Sequence, residues 1–325
     1  MEKLKVGVVG VGYFGSFHAE KYARSPQVDL VGVADIDEAR VHEVAERFST
    51  RSFLDYKDLF DKVQAVSIAV PTPIHFQVAR DFIDRGIDVL LEKPMTATLH
   101  EAEALVEVAE NKKRILQIGH LERFNSAVFA LNGLLVDPLF IDSIRFSPFL
   151  ERASHVDVVL DLMIHDIDLI LSMVQSEVTS IRAVGVPVIS SHLDIANARM
   201  EFQNGCTANI TASRVSGKKM RQIRIFQDDG YFTIDFLSHK IRIHRKEQDA
   251  DGPKVVSEEI RMTPTDALES EIHSFMQKVR DRTEPLVSGR NGKRALEVAL
   301  SITEQIERNI VRRRDSHSLN VGEGE

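Results

Sequence analysis

The chain has one cysteine, Cys206, no tryptophan and only four tyrosines. A single thiol excludes an internal disulfide and any metal site built from several cysteines, and it fits a reducing compartment. No apolar run is clean enough to cross a membrane. The most apolar long window, Val156 to Val174, carries Asp157, Asp161, His165, Asp166 and Asp168, charges that a bilayer core does not accept. Nor does a basic stretch followed by an apolar core precede the first strand-like run at Lys5, so no signal peptide is expected and a cytoplasmic location is. Positive charge is also short: 41 Lys and Arg against 49 Asp and Glu leave a net charge of −8. Nucleic acid and anionic membranes are therefore not expected partners, although a local basic patch can still hold an anionic substrate.

What the chain does have is a rhythm. Its 325 residues suffice for two ordinary domains. Lys5–Val9, Leu30–Ala34, Ala65–Val70, Val89–Leu91 and Ile115–Ile118 are runs of Val, Ile and Leu without polar alternation, as in parallel strands covered on both faces. Between them Tyr13–Arg24, Asp37–Phe48, His75–Arg85 and Leu99–Asn111 have helical spacing. The alternation predicts right-handed crossovers and a doubly wound α/β sheet, a Rossmann domain over residues 1–121.

Beyond it the pattern changes. Glu122–Val136 and Val158–Val174 read as helices, and Thr179–Ile260 reads mainly as strands with hairpin signals at Asn204-Gly205 and Asp228-Asp229-Gly230. Helices over Asp266–Asp281 and Gly292–Val311 follow, then a polar stretch from Arg312 expected to fray. Residues 122–325 are thus expected to form an α+β domain with a mainly antiparallel sheet.

Gly10-Val11-Gly12-Tyr13-Phe14-Gly15 directly follows the first strand and opens a helix, the context that gives G-x-G-x-x-G its meaning. Gly10 permits the tight turn, Gly12 lets a pyrophosphate approach the backbone, and Gly15 lets helix and strand pack closely. The helix N-terminus then faces the negative charge. Asp35, twenty residues past Gly15, ends the second strand. A carboxylate there accepts the adenosine ribose hydroxyls and repels a 2′-phosphate, which favours NAD. Arg40 nearby leaves NADP open.

Ligands of open parallel sheets bind beyond the carboxyl ends of the strands. Val70-Pro71-Thr72-Pro73-Ile74-His75 and Glu92-Lys93-Pro94 lie there, on loops stiffened by proline. Pro71, Thr72, His75, Glu92 and Lys93 are candidate cofactor contacts. Lys93 reads either as a salt-bridged structural lysine or, with a lowered pKa, as a group exchanging protons with a hydroxyl. Asp161 and His165 stand four positions apart on one helical face, so that the acid can orient the imidazole for proton transfer at neutral pH. A helix N-terminus with a satisfied histidine is the plainer reading of the same residues. His155, Asp157, Asp161 and His165 are near enough in sequence for a metal, but no clear further ligand appears and hydride transfer needs none, so no metal is expected. Arg214 to Arg224 holds five basic residues and no acid: a solvated hairpin, or a grip in which Arg214 and Lys218 hold a substrate phosphate. His120 and Arg123 sit past the sixth strand near the crevice, Arg123 more simply as a structural donor.

The glycine fingerprint, Val70–His75, Glu92-Lys93-Pro94 and the Asp161/His165 pair, in this order, resemble the glucose–fructose oxidoreductase/inositol dehydrogenase/MocA family over nearly the whole chain. The resemblance implies an open-faced second sheet that makes homodimers or homotetramers. It also implies a catalytic set of Lys93, Asp161 and His165, with either Lys93 or His165 taking a hydroxyl proton while hydride moves to nicotinamide. Gly119–Asn125 and Asp161–Ile170 further resemble UDP-N-acetylglucosamine 3-dehydrogenases. That implies a nucleotide-linked sugar oxidised at its 3-hydroxyl for lipid A-type synthesis, with the basic run suited to the diphosphate. The departure is Ser154–Val159, where relatives are glycine-rich before the acid. A dehydrogenase of a free sugar or an inositol is the alternative, and a cofactor-sensing regulator is a third reading that the three retained residues argue against.

Overall fold

The computed structural model describes residues 2–131, 133–149, 156–249 and 252–321, without the side chains of residues 253 and 313–321. In chain order the first half comprises β1 (Leu4–Val9), α1 (Tyr13–Arg24), β2 (Val28–Ala34), α2 (Glu38–Arg47) and β3 (Arg51–Phe53). β4 (Ala65–Ile68), α3 (His75–Asp84), β5 (Asp88–Glu92), α4 (Leu99–Asn111) and β6 (Leu116–Gly119) complete the alternation. The strands pair in parallel in the order β3-β2-β1-β4-β5-β6. Strand order reverses direction between β1 and β4, the point where a doubly wound sheet opens its crevice. Helix starts follow local chemistry: the Asp37 carboxylate accepts the Arg40 N–H ahead of α2, and Thr98 and Glu101 form a reciprocal box ahead of α4.

The second half begins with α5 (Ser126–Phe129) and β7 (Phe140–Phe146). A π-helical turn, Val159–Met163, then runs into α6 (Ile164–Val174). β8 (Val178–Val186), β9 (Ile195–Phe202), β10 (Thr207–Ser213), β11 (Met220–Gln227), β12 (Gly230–Asp235), β13 (Lys240–Asp249) and β14 (Gly252–Arg261) follow, then α7 (Ala267–Asp281) and α8 (Gly289–Val321). Eight strands form one sheet in the order β14-β13-β12-β11-β7-β10-β9-β8, antiparallel except for β7 beside β10. One face is apolar, with Ile141, Ala198, Ile210, Ile225 and Ile234 all inaccessible, and α6 packs on β7 and β10. The other face is polar. One row of register partners across it reads Glu259, Arg242, Thr233, Arg224, Asp142, Asn209, Arg199, Arg182.

Several expectations are corrected. The helix expected over Glu122–Val136 is a 3₁₀ turn, Leu121–Phe124, followed by the single turn of α5. Asn125 interrupts it, its side chain accepting the Ala127 N–H at 3.0 Å as a cap. β7 went unanticipated because its buried face includes Ser143 and Arg145, which disguise the alternation. α8 continues past Arg312 to Val321, where fraying was expected. The chain forms two compact units, one of Met1–Phe124 with Thr265–Leu296, the other of Asn125–Pro264 with Glu297–Glu325; α7 falls in the first. Its Ile272, Phe275, Met276 and Val279 share one buried cluster with Leu4, Val6 and Tyr22. Among the described residues no helix is long and apolar enough to cross a membrane.

Two buried ion pairs organise the second unit. Arg145 reaches Asp166 on α6 through two hydrogen bonds of 2.7 and 3.1 Å, each side chain 3% exposed. Arg214 donates at 2.8 Å to Asp194, with exposures of 2% and 0%. It also donates to the carbonyl of Val156 and the hydroxyl of Ser190. This position corrects the expectation that Arg214 grips a substrate phosphate, because its guanidinium is committed to the interior. Asp194 accepts the N–H groups of Val188, Ile189 and Ser190 at 2.6–2.8 Å as well. Burial opposes ionisation of that carboxyl, but the N–H donors of Ile189 and Ser190 and the Arg214 guanidinium outweigh it, holding Asp194 well below the usual carboxylate range.

Removing one partner of such a pair leaves an uncompensated buried charge. Arg214→Met is expected to destabilise the fold by about 3–5 kcal/mol in chemical denaturation; a change under about 1 kcal/mol contradicts the pair's structural role. The sign with pH follows from the depressed value. Asp194's contribution is full above about pH 4, the ordinary aspartate value, and is lost as pH falls toward the lower folded one. Stability curves below about pH 4 should therefore fall less steeply in Asp194→Asn than in the parent, and equal slopes overturn the assignment.

Candidate active site

The fingerprint loop is built by close backbone approach. Gly10 has φ +80°, and a Cβ there would stand 2.6 Å from the Ala69 carbonyl oxygen. A Cβ on Gly15 would stand 1.7 Å from the Gly10 carbonyl oxygen. Gly12 is the contrast: a Cβ there would meet nothing within 4 Å. It caps α1 without any side-chain hydrogen bond, so the helix's first N–H groups face open space that a methyl group would begin to fill. That is the shape and polarity a pyrophosphate needs, and a dinucleotide fits these residues. Tyr13 and Phe14, 58% and 56% exposed, begin the helix and meet edge to face at 5.3 Å.

Asp35 sits at the end of β2. Its carboxylate accepts the Val11 N–H at 2.8 Å and the Asp37 N–H at 3.0 Å, fixing it beside the fingerprint. Arg40 pairs with Asp37 at 2.9 Å and approaches Asp35 at 3.6 Å. A guanidinium already shared between two carboxylates is a poor receptor for a 2′-phosphate, and the acid itself repels one.

The loops after β4 and β5 are tied to each other by His75. It is 1% exposed, with Nδ1 2.9 Å from the Pro94 carbonyl oxygen and Nε2 2.8 Å from that of Val70. Burial lowers its pKa despite the two acceptors. A neutral imidazole so enclosed donates to one of the two carbonyls and packs against the other, so it lies between the two loops with both ring nitrogens turned to protein. Pro71 and Thr72 start the 3₁₀ turn just before it, nearer the crevice. The Lys93–Pro94 peptide bond is cis.

Glu92 turns inward too. It meets His18 Nε2 on α1 at 3.0 Å and accepts the Lys93 N–H at 3.3 Å. A Cβ on Gly119 would stand 3.0 Å from its carboxylate oxygens, so the next strand is cut away to admit it. Burial opposes its charge, but the His18 hydrogen bond and the nearby Lys93 outweigh that and hold its pKa below the ordinary value. His18 is absent from the sequence reading, although it lies three residues past Gly15 on the face shared with Ala19 and Tyr22, and that spacing was the available signal. Lys93 itself is half-buried.

His120 is 1% exposed, and its carbonyl accepts the Arg123 N–H at 3.0 Å. Arg123 reaches the Leu286 carbonyl at 3.4 Å, in keeping with a structural donor. In the second unit Asp161 lies in the π turn and His165 in the first turn of α6. From Met163 to Leu171 every residue except His165 is buried, and Asp161 in the turn before it is half-buried as well. Single π turns recur at functional sites because they re-aim side chains. Lys218 is exposed between β10 and β11. Among the described residues no cluster of three His, Cys, Asp or Glu could hold a metal; His155, and Ser154 before it, lie outside those residues.

The comparisons agree with this architecture. Residues 4–120 match the oxidoreductase family with an NAD-binding Rossmann fold, and residues 141–233 match the GFO/IDH/MocA C-terminal domain. UDP-N-acetylglucosamine 3-dehydrogenase of Acidithiobacillus ferrooxidans is 38% identical over 94% of this chain and 98% of its own. Its solved structure superposes with a TM-score of 0.89 at 36% identity, covering 94% of this chain and 99% of that one. The scyllo-inositol 2-dehydrogenase (NAD(+)) of Bacillus subtilis is 26% identical over 93% of each chain. A scyllo-inositol dehydrogenase of Lactobacillus casei with bound NAD(H) shares the fold, with a TM-score of 0.80 at 22% identity over 95% of this chain and 98% of that one. The chain belongs to the GFO/IDH/MocA family of NAD-binding oxidoreductases.

Proposed function

We propose that this enzyme oxidises the 3-hydroxyl of UDP-N-acetylglucosamine with NAD. The observation that carries the reading is the likeness, at 38% identity over 94% of the chain, to a dehydrogenase of that name, joined to a fingerprint whose Gly12 is open and whose Asp35 is fixed beside it. NAD supplies the hydride acceptor. The remaining work falls to side chains: Lys93 and His165 bind the reacting hydroxyl, one of them takes its proton, and Asp161 orients His165 and favours its protonated form. Their support is positional. Lys93 stands on a loop held by His75 and Glu92, and Asp161 and His165 are half-buried where Met163, Ile164 and 166–171 are buried. Of the basic run Lys218, Lys219 and Arg221 are exposed, and Lys218 is the one assigned here to a diphosphate. The 3-oxo product suits later amination in lipid A-type synthesis in the cytoplasm.

The same reading includes self-association through the polar face of the large sheet. Rings of Phe140, Phe226, Tyr231 and His244 line up across four strands there, with centroid spacings of 5.4, 4.6 and 5.3 Å. A single-chain mass by light scattering at working concentration contradicts that part. The second reading, oxidation of an inositol or free sugar, rests on the full-length likeness to the Bacillus subtilis enzyme.

NADH formation with UDP-N-acetylglucosamine, free sugars and inositols separates the two. The nucleotide sugar is expected to be the substrate, and Lys93→Ala and His165→Ala are each expected to lower kcat by roughly 10²–10⁴. Turnover of inositols alone moves the assignment to the second reading, and full turnover in either variant removes that residue from the chemistry. Asp35→Ser should raise the preference for NADP over NAD, in kcat/KM, by at least about tenfold; an unchanged preference contradicts the role of Asp35.

A further inference from the structure

Asp157 stands just before the π turn, in the 154–159 segment where the sequence departs from its family resemblance; residues 156–159 of that segment are described. An aspartate at the start of a helix ordinarily caps it by accepting one of the first N–H groups. Here the carboxylate reaches a neighbouring segment instead, where its Oδ1 accepts the Leu193 N–H at 2.9 Å. A return bond runs from the Val158 N–H to the Leu193 carbonyl, also at 2.9 Å. Leu193 is buried and lies two residues ahead of β9. Both of its backbone groups are thus taken up by residues 157 and 158. Before them the Val156 carbonyl accepts the Arg214 guanidinium, which also pairs with Asp194, the residue after Leu193. Three consecutive residues are therefore tied to the buried charge cluster of the second unit.

What they anchor is the register of the turn. The Asp161 N–H donates to the Asp157 carbonyl at 2.9 Å, four residues back as in an α-helix. Three residues later the Ile164 N–H reaches the Val159 carbonyl, five residues back. The hydrogen-bond ladder changes step across Asp161, so the place of that side chain depends on where the first rung is fixed. That rung is Asp157, whose carbonyl meets the turn while its carboxylate meets Leu193. His192 adds little. Its Nδ1 is 3.6 Å from the same carboxylate oxygen, but the ring is 43% exposed, and exposed pairs contribute weakly.

We propose that Asp157 is a positioning residue for Asp161, a role that rests on the functions given to Asp161 and His165 above. Its bond to Leu193 sets the start of the π turn, and through the turn the place of the carboxylate that orients His165. Asp157 takes no proton itself.

Two measurements on the full chain test this. Asp157→Ala removes the acceptor, whereas Asp157→Asn keeps an oxygen for the Leu193 N–H. Amide hydrogen exchange over residues 158–165, in saturating NAD, is expected to be at least about tenfold faster in Asp157→Ala and parental in Asp157→Asn. Parental protection in β9 and β10 shows that the second unit is folded; its loss there makes Asp157 a support of the whole unit and overturns the local role. Unchanged exchange over 158–165 in Asp157→Ala overturns the proposal whatever the substrate. In turnover, Asp157→Ala is expected to lower kcat at least about tenfold with KM for NAD unchanged, and Asp157→Asn to restore most of it. In an Asp161→Asn background Asp157→Ala should have no further effect on kcat, because what it displaces is already gone. A full additional loss in that background overturns the proposal, as does an Asp157→Asn variant as slow as Asp157→Ala. Parental turnover by Asp161→Asn alone, with every sugar tried, defeats the role given to Asp161 in the chemistry, and the exchange result by itself then decides whether Asp157 sets the turn.

Discussion

The dinucleotide half depends on one close approach: the carbonyl of Gly10 occupies the space where a side chain on Gly15 would be. With that space open, α1 packs down against the end of β1 and β4, and everything downstream on the helix takes a fixed address. His18 reaches Glu92 at the end of β5, and Tyr22 reaches Ser67 of β4 at 2.8 Å. The residue after Glu92 is Lys93. The same helix that offers its N-terminus to a pyrophosphate therefore also fixes the base of the loop that carries the lysine, and His75 ties that loop to its neighbour. The fingerprint loop and the Lys93 loop share one mechanical frame.

The second unit solves a different problem. A large sheet with one apolar and one polar face must hold its covering helix in register, and it uses charge to do so. Arg145 and Asp166 lock α6 to β7, while Asp194 gathers the 188–190 backbone and Arg214 into one satisfied cluster. Pairs of this kind contribute specificity of arrangement more than net stability. The π turn ahead of α6 then shifts Asp161 relative to an ideal helix.

Much of this was legible in the sequence. β-branched runs without polar alternation marked the strands of the parallel sheet, and the four helices between them were placed to within a residue or two. The fingerprint, Asp35 and the Lys93 loop could be placed because glycine, proline and a strand-end acid have few alternative uses. Pairing between distant segments was not legible. Arg145 lies on the buried face of β7, paired there with Asp166, and a charge at an inward position hides the strand's alternation. Arg214 looked like a substrate ligand because Asp194, twenty positions earlier, carries no local mark of being its partner. α7 joined the first unit because its apolar stripe completes the core around Leu4 and Val6, a fact that amphipathicity alone leaves unassigned. His75 shows the same limit on a small scale: its two carbonyl neighbours, on loops 19 and 5 residues away, carry no local mark in the sequence.

The central claim, that hydride passes from carbon 3 of a nucleotide-linked N-acetylglucosamine to NAD, is tested most directly with substrate deuterated at that carbon. Mass spectrometry of the reduced cofactor should show one deuterium per NADH formed. Unlabelled NADH, with the deuterium still on the sugar, would place the oxidation at another carbon and contradict the account.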